Sequence, residues 1–249
     1  METKFPFRQQ EFTWDDRRPL IEVRDLNKVF KMASGEVHAL KQVNLELEKG
    51  KFIGVVGRSG CGKSTLVNMI TGIDRPSSGE VWVAGQALNA LAEGKLAEWR
   101  GRMLGIVFQF FQLLPTLTLL ENVMLPMDFC HLYTPSERED RALGLLARVG
   151  LEKEAEKFPG MVSNGQQQSA AVARALANDA PILVADEPTG NLDSRSAEDI
   201  IQLFEELIAQ GKTILMVTHD ADLAQHMDRI IHMSDGEILP NPGEETTQP

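Results

Sequence analysis

Eight residues, Gly57-Arg58-Ser59-Gly60-Cys61-Gly62-Lys63-Ser64, stand between a short apolar run at 52–56 and a helical pattern at 63–71. Their spacing is G-x-x-x-x-G-K-[ST]. A chain carrying this run has to enter on a buried strand, turn with its backbone N–H groups facing inward, and leave as a helix. Glycines permit that turn, and the helix N-terminus adds partial positive charge where a phosphate would sit. Lys63 would then reach the β- and γ-phosphates, and the Ser64 hydroxyl would ligate Mg²⁺, with Thr65 behind it in the first helical turn. A glycine turn that only joins two elements has no use for Lys-Ser at this spacing.

The remaining pattern agrees with a strand–loop–helix frame. Alternating or continuous apolar runs predict strands at 20–30, 43–47, 79–85, 104–108, 182–185 and 213–217. Helical spacing predicts helices at 93–102, 118–128, 135–149, 166–177 and 197–210, and 229–238 reads as a hairpin turning at Asp235-Gly236. Strands alternating with helices imply a largely parallel α/β sheet. From 113 to 162 β-branched alternation is scarce and helical spacing prevails, so this block is expected to be a helical insert. We expect an N-terminal extension at 1–19, a main domain at 20–240 with its core at 20–112 and 177–240 around an insert of about 113–176, and a disordered tail at 241–249 rich in Pro, Glu and Thr.

Composition narrows the function. Asp and Glu number 36 against 25 Lys and Arg, a net charge of -11, which is the wrong sign for a protein whose main partner is a nucleic acid. The two cysteines, Cys61 and Cys130, are too far apart in sequence for a zinc knuckle or a redox pair, and a reducing compartment is expected. No window has the roughly 20 apolar residues of a membrane span, and residues 1–19 lack the apolar stretch of a signal peptide. Any membrane span used by this protein is expected to come from another chain.

A second chemical signal follows the run Ile182-Leu183-Val184-Ala185, which delivers Asp186 and Glu187 to its C-terminal end. In a parallel sheet this edge is where nucleotides bind. Asp186 is placed to hold a Mg²⁺ shell and Glu187 to polarise an attacking water.

Between these two signals lies Val162-Ser163-Asn164-Gly165-Gln166-Gln167-Gln168. With it, residues 20–239 resemble the ABC ATPase family, and this run is similar to that family's signature sequence. The resemblance implies a RecA-like phosphate-loop fold with a mostly parallel sheet, an antiparallel β subdomain and a helical insert. It also implies ATP and Mg²⁺ as ligands, with Gln109 as the Q-loop glutamine that touches the metal and the attacking water. Asn191-Leu192-Asp193 corresponds to the D-loop, His219 to the switch histidine, and Phe30 to the aromatic that stacks on adenine. Ser163 and Gly165 would approach a nucleotide held by a second subunit, so a homodimer closed by ATP is expected. The sequence departs from the pattern at Asn164, where the family has glycine, and at Ser169, where it has Arg or Lys. These departures imply either slow turnover or an adjustment to a particular partner.

Three further stretches, Gly35-Glu36-Val37-His38-Ala39-Leu40, residues 108–115 (FQFFQLLP) and Leu120-Glu121-Asn122-Val123 with Leu125-Pro126, resemble the group containing LolD, MacB and FtsE. That resemblance implies an integral permease partner of the FtsX, MacB or LolC kind, docked on the apolar region 113–127, and a peripheral place on the cytoplasmic face of the inner membrane. The alternative is a soluble phosphate-loop ATPase or kinase not coupled to a membrane; a small-molecule kinase would not need the signature or the D-loop, and a soluble translation-type protein of the family would carry two motif sets in one chain.

Overall fold

A computed structural model describes residues 18–33, 35–220 and 222–240. The expectations for most of the N-terminal extension and for the tail at 241–249 therefore lie outside the described residues.

The chain opens with a long antiparallel pair, β1 (Ile21–Met32) and β2 (Gly35–Leu47), in register from Ile21↔Leu47 to Met32↔Gly35. Ile21, Val23 and Leu26 turn inward, and irregularities between Val23 and Val29 shift the pairing. Asp25 and Gln42 take positive φ (47° and 46°) at this irregular stretch. β3 (Phe52–Val56), α1 (Lys63–Ile70), β4 (Ser78–Val83) and β5 (Gln86–Ala87) follow, and β4 and β5 complete a sheet of order β2-β1-β4-β5.

After α2 (Glu93–Met103) and β6 (Leu104–Val107) come three helices, α3 (Leu119–Cys130), α4 (Pro135–Arg148) and α5 (Asn164–Ala175). The α3 start is fixed by a capping box, in which Thr118 Oγ1 accepts from Glu121 N while the Glu121 carboxylate accepts from Thr118 N. The chain finishes through β7 (Ile182–Asp186), α6 (Ser194–Ala209), β8 (Thr213–Thr218), β9 (Arg229–Ser234) and β10 (Glu237–Ile238). Asp235 and Gly236 form the β9–β10 turn with φ of 50° and 84°, the two-residue geometry that Asp-Gly favours.

The second sheet runs β10-β9-β3-β8-β7-β6, with every pair parallel except β9–β10. Its central strands are buried on both faces, and the period of two divides their side chains between two cores. Ile53, Val55, Val184 and Val217 pack toward the antiparallel sheet and α1. Phe52, Leu183, Ala185 and Met216 pack toward α3, α5 and α6. Each fully buried Val, Leu or Ile contributes about 1.5–3 kcal/mol, so the sheet is clamped from both sides below the edge where the loops emerge.

Candidate nucleotide site

β3 ends in the glycine run, and the run closes on Gly62, the N-cap of α1, at φ 106°. A Cβ there would lie 2.5 Å from the Ala39 carbonyl oxygen of β2, so both the backbone angle and the close approach require glycine. No side chain caps α1, which leaves its first N–H groups for a ligand. Lys63 is 7% exposed, and its Nζ donates to the carbonyls of Gly57 (2.8 Å) and Arg58 (3.1 Å). The ammonium thus spans the loop from inside. Arg58, Ser59 and Ser64 are exposed and Thr65 is half-buried. The Cys61 side chain is buried against the loop's own backbone, so only its main chain can meet a ligand.

At the end of β7, Asp186 is 9% exposed and its Oδ1 has no hydrogen-bond partner among the described residues. Burial pushes its carboxyl above the usual range; the Ser64 hydroxyl bonded to it and the Lys63 ammonium oppose that shift, while Glu187 adds to it. Ser64, Gln109 and Asp186 line one cleft of about 540 Å³ beside Arg100, Phe108 and Phe110. A buried carboxylate oxygen without a partner, a hydroxyl and an amide are hard oxygen donors of the kind Mg²⁺ prefers, so the three residues fit the ion.

The chain turns sharply after Asp186. Glu187 sits at φ 51°, a left-handed conformation that costs about 1–2 kcal/mol for a residue with a Cβ. Its N–H donates to Val217 O (2.9 Å) and its carbonyl accepts from Gly190 N (3.2 Å). The turn aims the carboxylate at His219, whose Nδ1 lies 2.9 Å from both Oε1 and Oε2. Glu187 and His219 are 32 residues apart, yet β7 and β8 are parallel neighbours with Asp186 opposite Val217, which brings the residues following each strand together.

Gln109 follows β6, and its carbonyl is 3.5 Å from Asn191 Nδ2. Asp193 caps α6 by accepting from Ser196 N (3.1 Å) and Ser196 Oγ (2.8 Å), which holds the Asp193 carboxyl below the usual range. Phe30 is 39% exposed on β1, with Lys28 Nζ 4.9 Å from its ring centre. It pairs across the strands with Val37, two residues before the Ala39 whose carbonyl abuts Gly62.

Ser163 is the N-cap of α5, its Oγ accepting from Gln166 N (3.2 Å) while Gln166 Oε1 accepts from Ser163 N (3.0 Å). The helix starts at Asn164, two residues before its predicted start at 166. Asn164 is not among the positive-φ residues, so it needs no left-handed conformation and replaces glycine without backbone strain. Ser169 is 8% exposed, and the neighbouring Gln168 is fully buried with neither amide atom hydrogen-bonded among the described residues.

Two residues with structural roles escape sequence reasoning. Asn122, fully buried in α3, accepts from Leu114 N (2.7 Å) and donates to the carbonyls of Leu114, Leu117 and Thr118. Arg174 in α5 donates from Nη1 to Gln112 O (2.5 Å) and from Nη2 to Phe111 O (2.8 Å). A polar residue inside an otherwise apolar helix face is the signal that marks Asn122; Arg174 resembles any solvent-facing arginine.

A phosphate loop after β3 of a two-sided parallel sheet, with adjacent carboxylates at the same edge after β7, one strand beyond β8, defines a nucleoside triphosphate-binding cassette. Residues 40–190 match the ABC transporter family, and the chain belongs to it, as an ABC-type ATPase that takes ATP and Mg²⁺. The lipoprotein-releasing system ATP-binding protein LolD of Pseudomonas fluorescens is 44% identical over 223 residues, covering 89% of this chain and 98% of LolD. The macrolide export ATP-binding/permease protein MacB of Hyphomonas neptunium is 44% identical over 225 residues, covering 90% of this chain; the chain spans only 35% of MacB. A solved structure of the ATP-binding cassette MJ0796, a protein of Methanocaldococcus jannaschii, superposes with a TM-score of 0.86 at 42% identity over 88% of this chain and 97% of that one. That structure is described as a dimeric post-hydrolysis state bound to ADP and Pi.

Proposed function

We propose that this chain hydrolyses ATP at a composite site shared by two copies, and that the resulting closure and opening drive a separate membrane permease. The observation that carries this reading is Gly165. It lies in the first turn of α5 at ordinary φ, and a Cβ added there would meet nothing nearer than 3.5 Å. Alanine would fit and would favour the helix by about 0.5–1 kcal/mol. A glycine that the fold does not require is consistent with close approach by something outside the chain, and the exposed, positively polarised end of α5 suits a phosphate held by a second copy. The dimeric MJ0796 cassette supports the same arrangement.

In this reading Lys63 exchanges the Gly57 and Arg58 carbonyls for the β- and γ-phosphates. Ser64, Asp186 and Gln109 hold Mg²⁺, which neutralises phosphate charge when bound. Glu187 polarises the attacking water, and His219 leaves Glu187 to contact the γ-phosphate. Ser163 and Gly165 complete the partner's site. Asn164→Gly is expected to shift the thermal midpoint by no more than about 2 °C, because the position is exposed and unstrained, and to raise turnover if Asn164 crowds the partner's phosphate. Steady-state phosphate release at saturating ATP measures it; lower turnover would mean that Asn164 is itself a phosphate contact.

The permease is proposed from the relatives. LolD is named as the ATP-binding protein of a releasing system, MacB's name adds a permease, and no helix among the described residues is long and apolar enough to cross a membrane. We place the chain on the cytoplasmic face of the inner membrane. Phe110 and Phe129, each 73% exposed, flank the proposed docking face. Phe129→Asp, chosen because Phe110 also lines the nucleotide cleft, is expected to abolish sedimentation of the chain with membranes from its own cells, while the isolated chain keeps its basal ATPase within about twofold. Undiminished sedimentation would sink this docking face.

A further inference from the structure

The first turn of α5 carries Ser163 and Gly165, and its last turn carries Arg174. At 1.5 Å per residue the 12-residue helix is about 18 Å long. Its far end is locked in place: Arg141 Nε donates to Ala177 O (2.5 Å) and Arg141 Nη2 to Leu176 O (3.1 Å). The Ala175 carbonyl lies so close to β6 that a Cβ on Gly105 would be 2.2 Å from it. Arg174 does not satisfy its own helix. Its guanidinium crosses to the carbonyls of Phe111 and Gln112, 63 and 62 residues away, in the loop that begins at Gln109. Gln112 takes a left-handed φ of 54°, which turns its segment sharply at that point.

No carboxylate bridges Arg174 among the described residues, and burial lowers its pKa to about 10, which leaves it charged at neutral pH. A half-buried cation held by two backbone dipoles is a costly way to fill space; an apolar side chain would pack there more cheaply. Its two bonds instead fix the path of the loop between β6 and α3, whose other end Asn122 fixes at Leu114. The loop bearing Gln109 is therefore tied to the same rigid rod whose other end meets the partner.

We propose that Arg174 is a positioning residue that carries the state of the Ser163 end of α5 to the Gln109 loop, so that engaging the partner's nucleotide sets Gln109 in the chain's own site. The proposal rests on the shared-site reading above. Coupling of this kind requires one element whose position both ends bias, and α5 with its Arg174 tie is that element.

The test uses the full chain with Arg174→Ala, Arg174→Lys, Gln109→Ala and the Gln109→Ala/Arg174→Ala double variant. Arg174→Ala is expected to lower kcat at least tenfold, with KM for ATP changed less than threefold and ATP-dependent dimerisation in a Glu187→Gln background changed less than threefold. Arg174→Lys, which can still reach one carbonyl, is expected to recover at least a third of kcat. Because Arg174 acts through Gln109, the double variant is expected to be no more than twofold slower than Gln109→Ala alone. If Arg174→Ala slows Gln109→Ala by its full factor, or if Arg174→Lys is as slow as Arg174→Ala, the coupling role is overturned. If the Glu187→Gln chain with native Arg174 stays monomeric with ATP, the shared-site reading falls and this proposal falls with it, an outcome separable from failure at Arg174 alone.

Discussion

Glu187→Gln is expected to lower steady-state phosphate release by about 10²–10⁴-fold, the range of a lost general base, while ATP still binds. The amide keeps the shape of the side chain and removes its ability to take a proton. Glu187 is the residue whose left-handed turn and 2.9 Å contact with His219 Nδ1 single it out at the end of β7. Without turnover the ATP-closed form should persist, so light scattering of the variant with ATP and Mg²⁺ is expected to move from the mass of one chain to that of two. Adding ADP instead should leave it monomeric. Phosphate release within threefold of the parent would remove Glu187 from the role of base, whatever the mass of the particle.

Lys63→Ala is expected to weaken ATP binding by about 100-fold, since a charge-assisted hydrogen bond to phosphate is worth about 1.5–3 kcal/mol and more than one is lost. Part of that gain is offset, because the ammonium also donates to the carbonyls of Gly57 and Arg58 and a phosphate competes with them. Titration with a fluorescent ATP analogue measures the loss, and far-UV circular dichroism checks that the fold survives. Binding within threefold of the parent would mean that the loop's N–H groups hold the phosphates unaided.

Much of this architecture can be read from the residues. β3 and β7 are short runs buried on both faces, so continuous apolarity marks them, and Asp235-Gly236 is a turn whose chemistry names its geometry. The antiparallel pair was less legible. β2 extends back to Gly35, eight residues before its predicted start; its outer stretch is exposed, and the short alternation of Val37 and Ala39 there buries no side chain before Leu40. The positive-φ residues Asp25 and Gln42 interrupt the period further, and nothing in their side chains announces the irregularity. α6 likewise begins at Ser194 rather than 197, since its first turn is polar and is held by Asp193 rather than by packing. At the site, the glycine run and the Asp186-Glu187 pair stand out by spacing. The Glu187–His219 contact does not, because it depends on which strands lie side by side, and the Arg174 tie depends on a loop path that no local pattern encodes.

The ammonium of Lys63 within the glycine loop has a consequence for binding. A loop of flexible residues would ordinarily sample many shapes and admit a ligand only when one of them happened to fit. Here an internal cation already draws two carbonyls together, and buried neighbours brace the turn from both sheets. The mould therefore exists before anything fills it. Binding of the triphosphate then becomes an exchange of oxygen atoms around a positive charge that the fold itself holds at the centre of the loop.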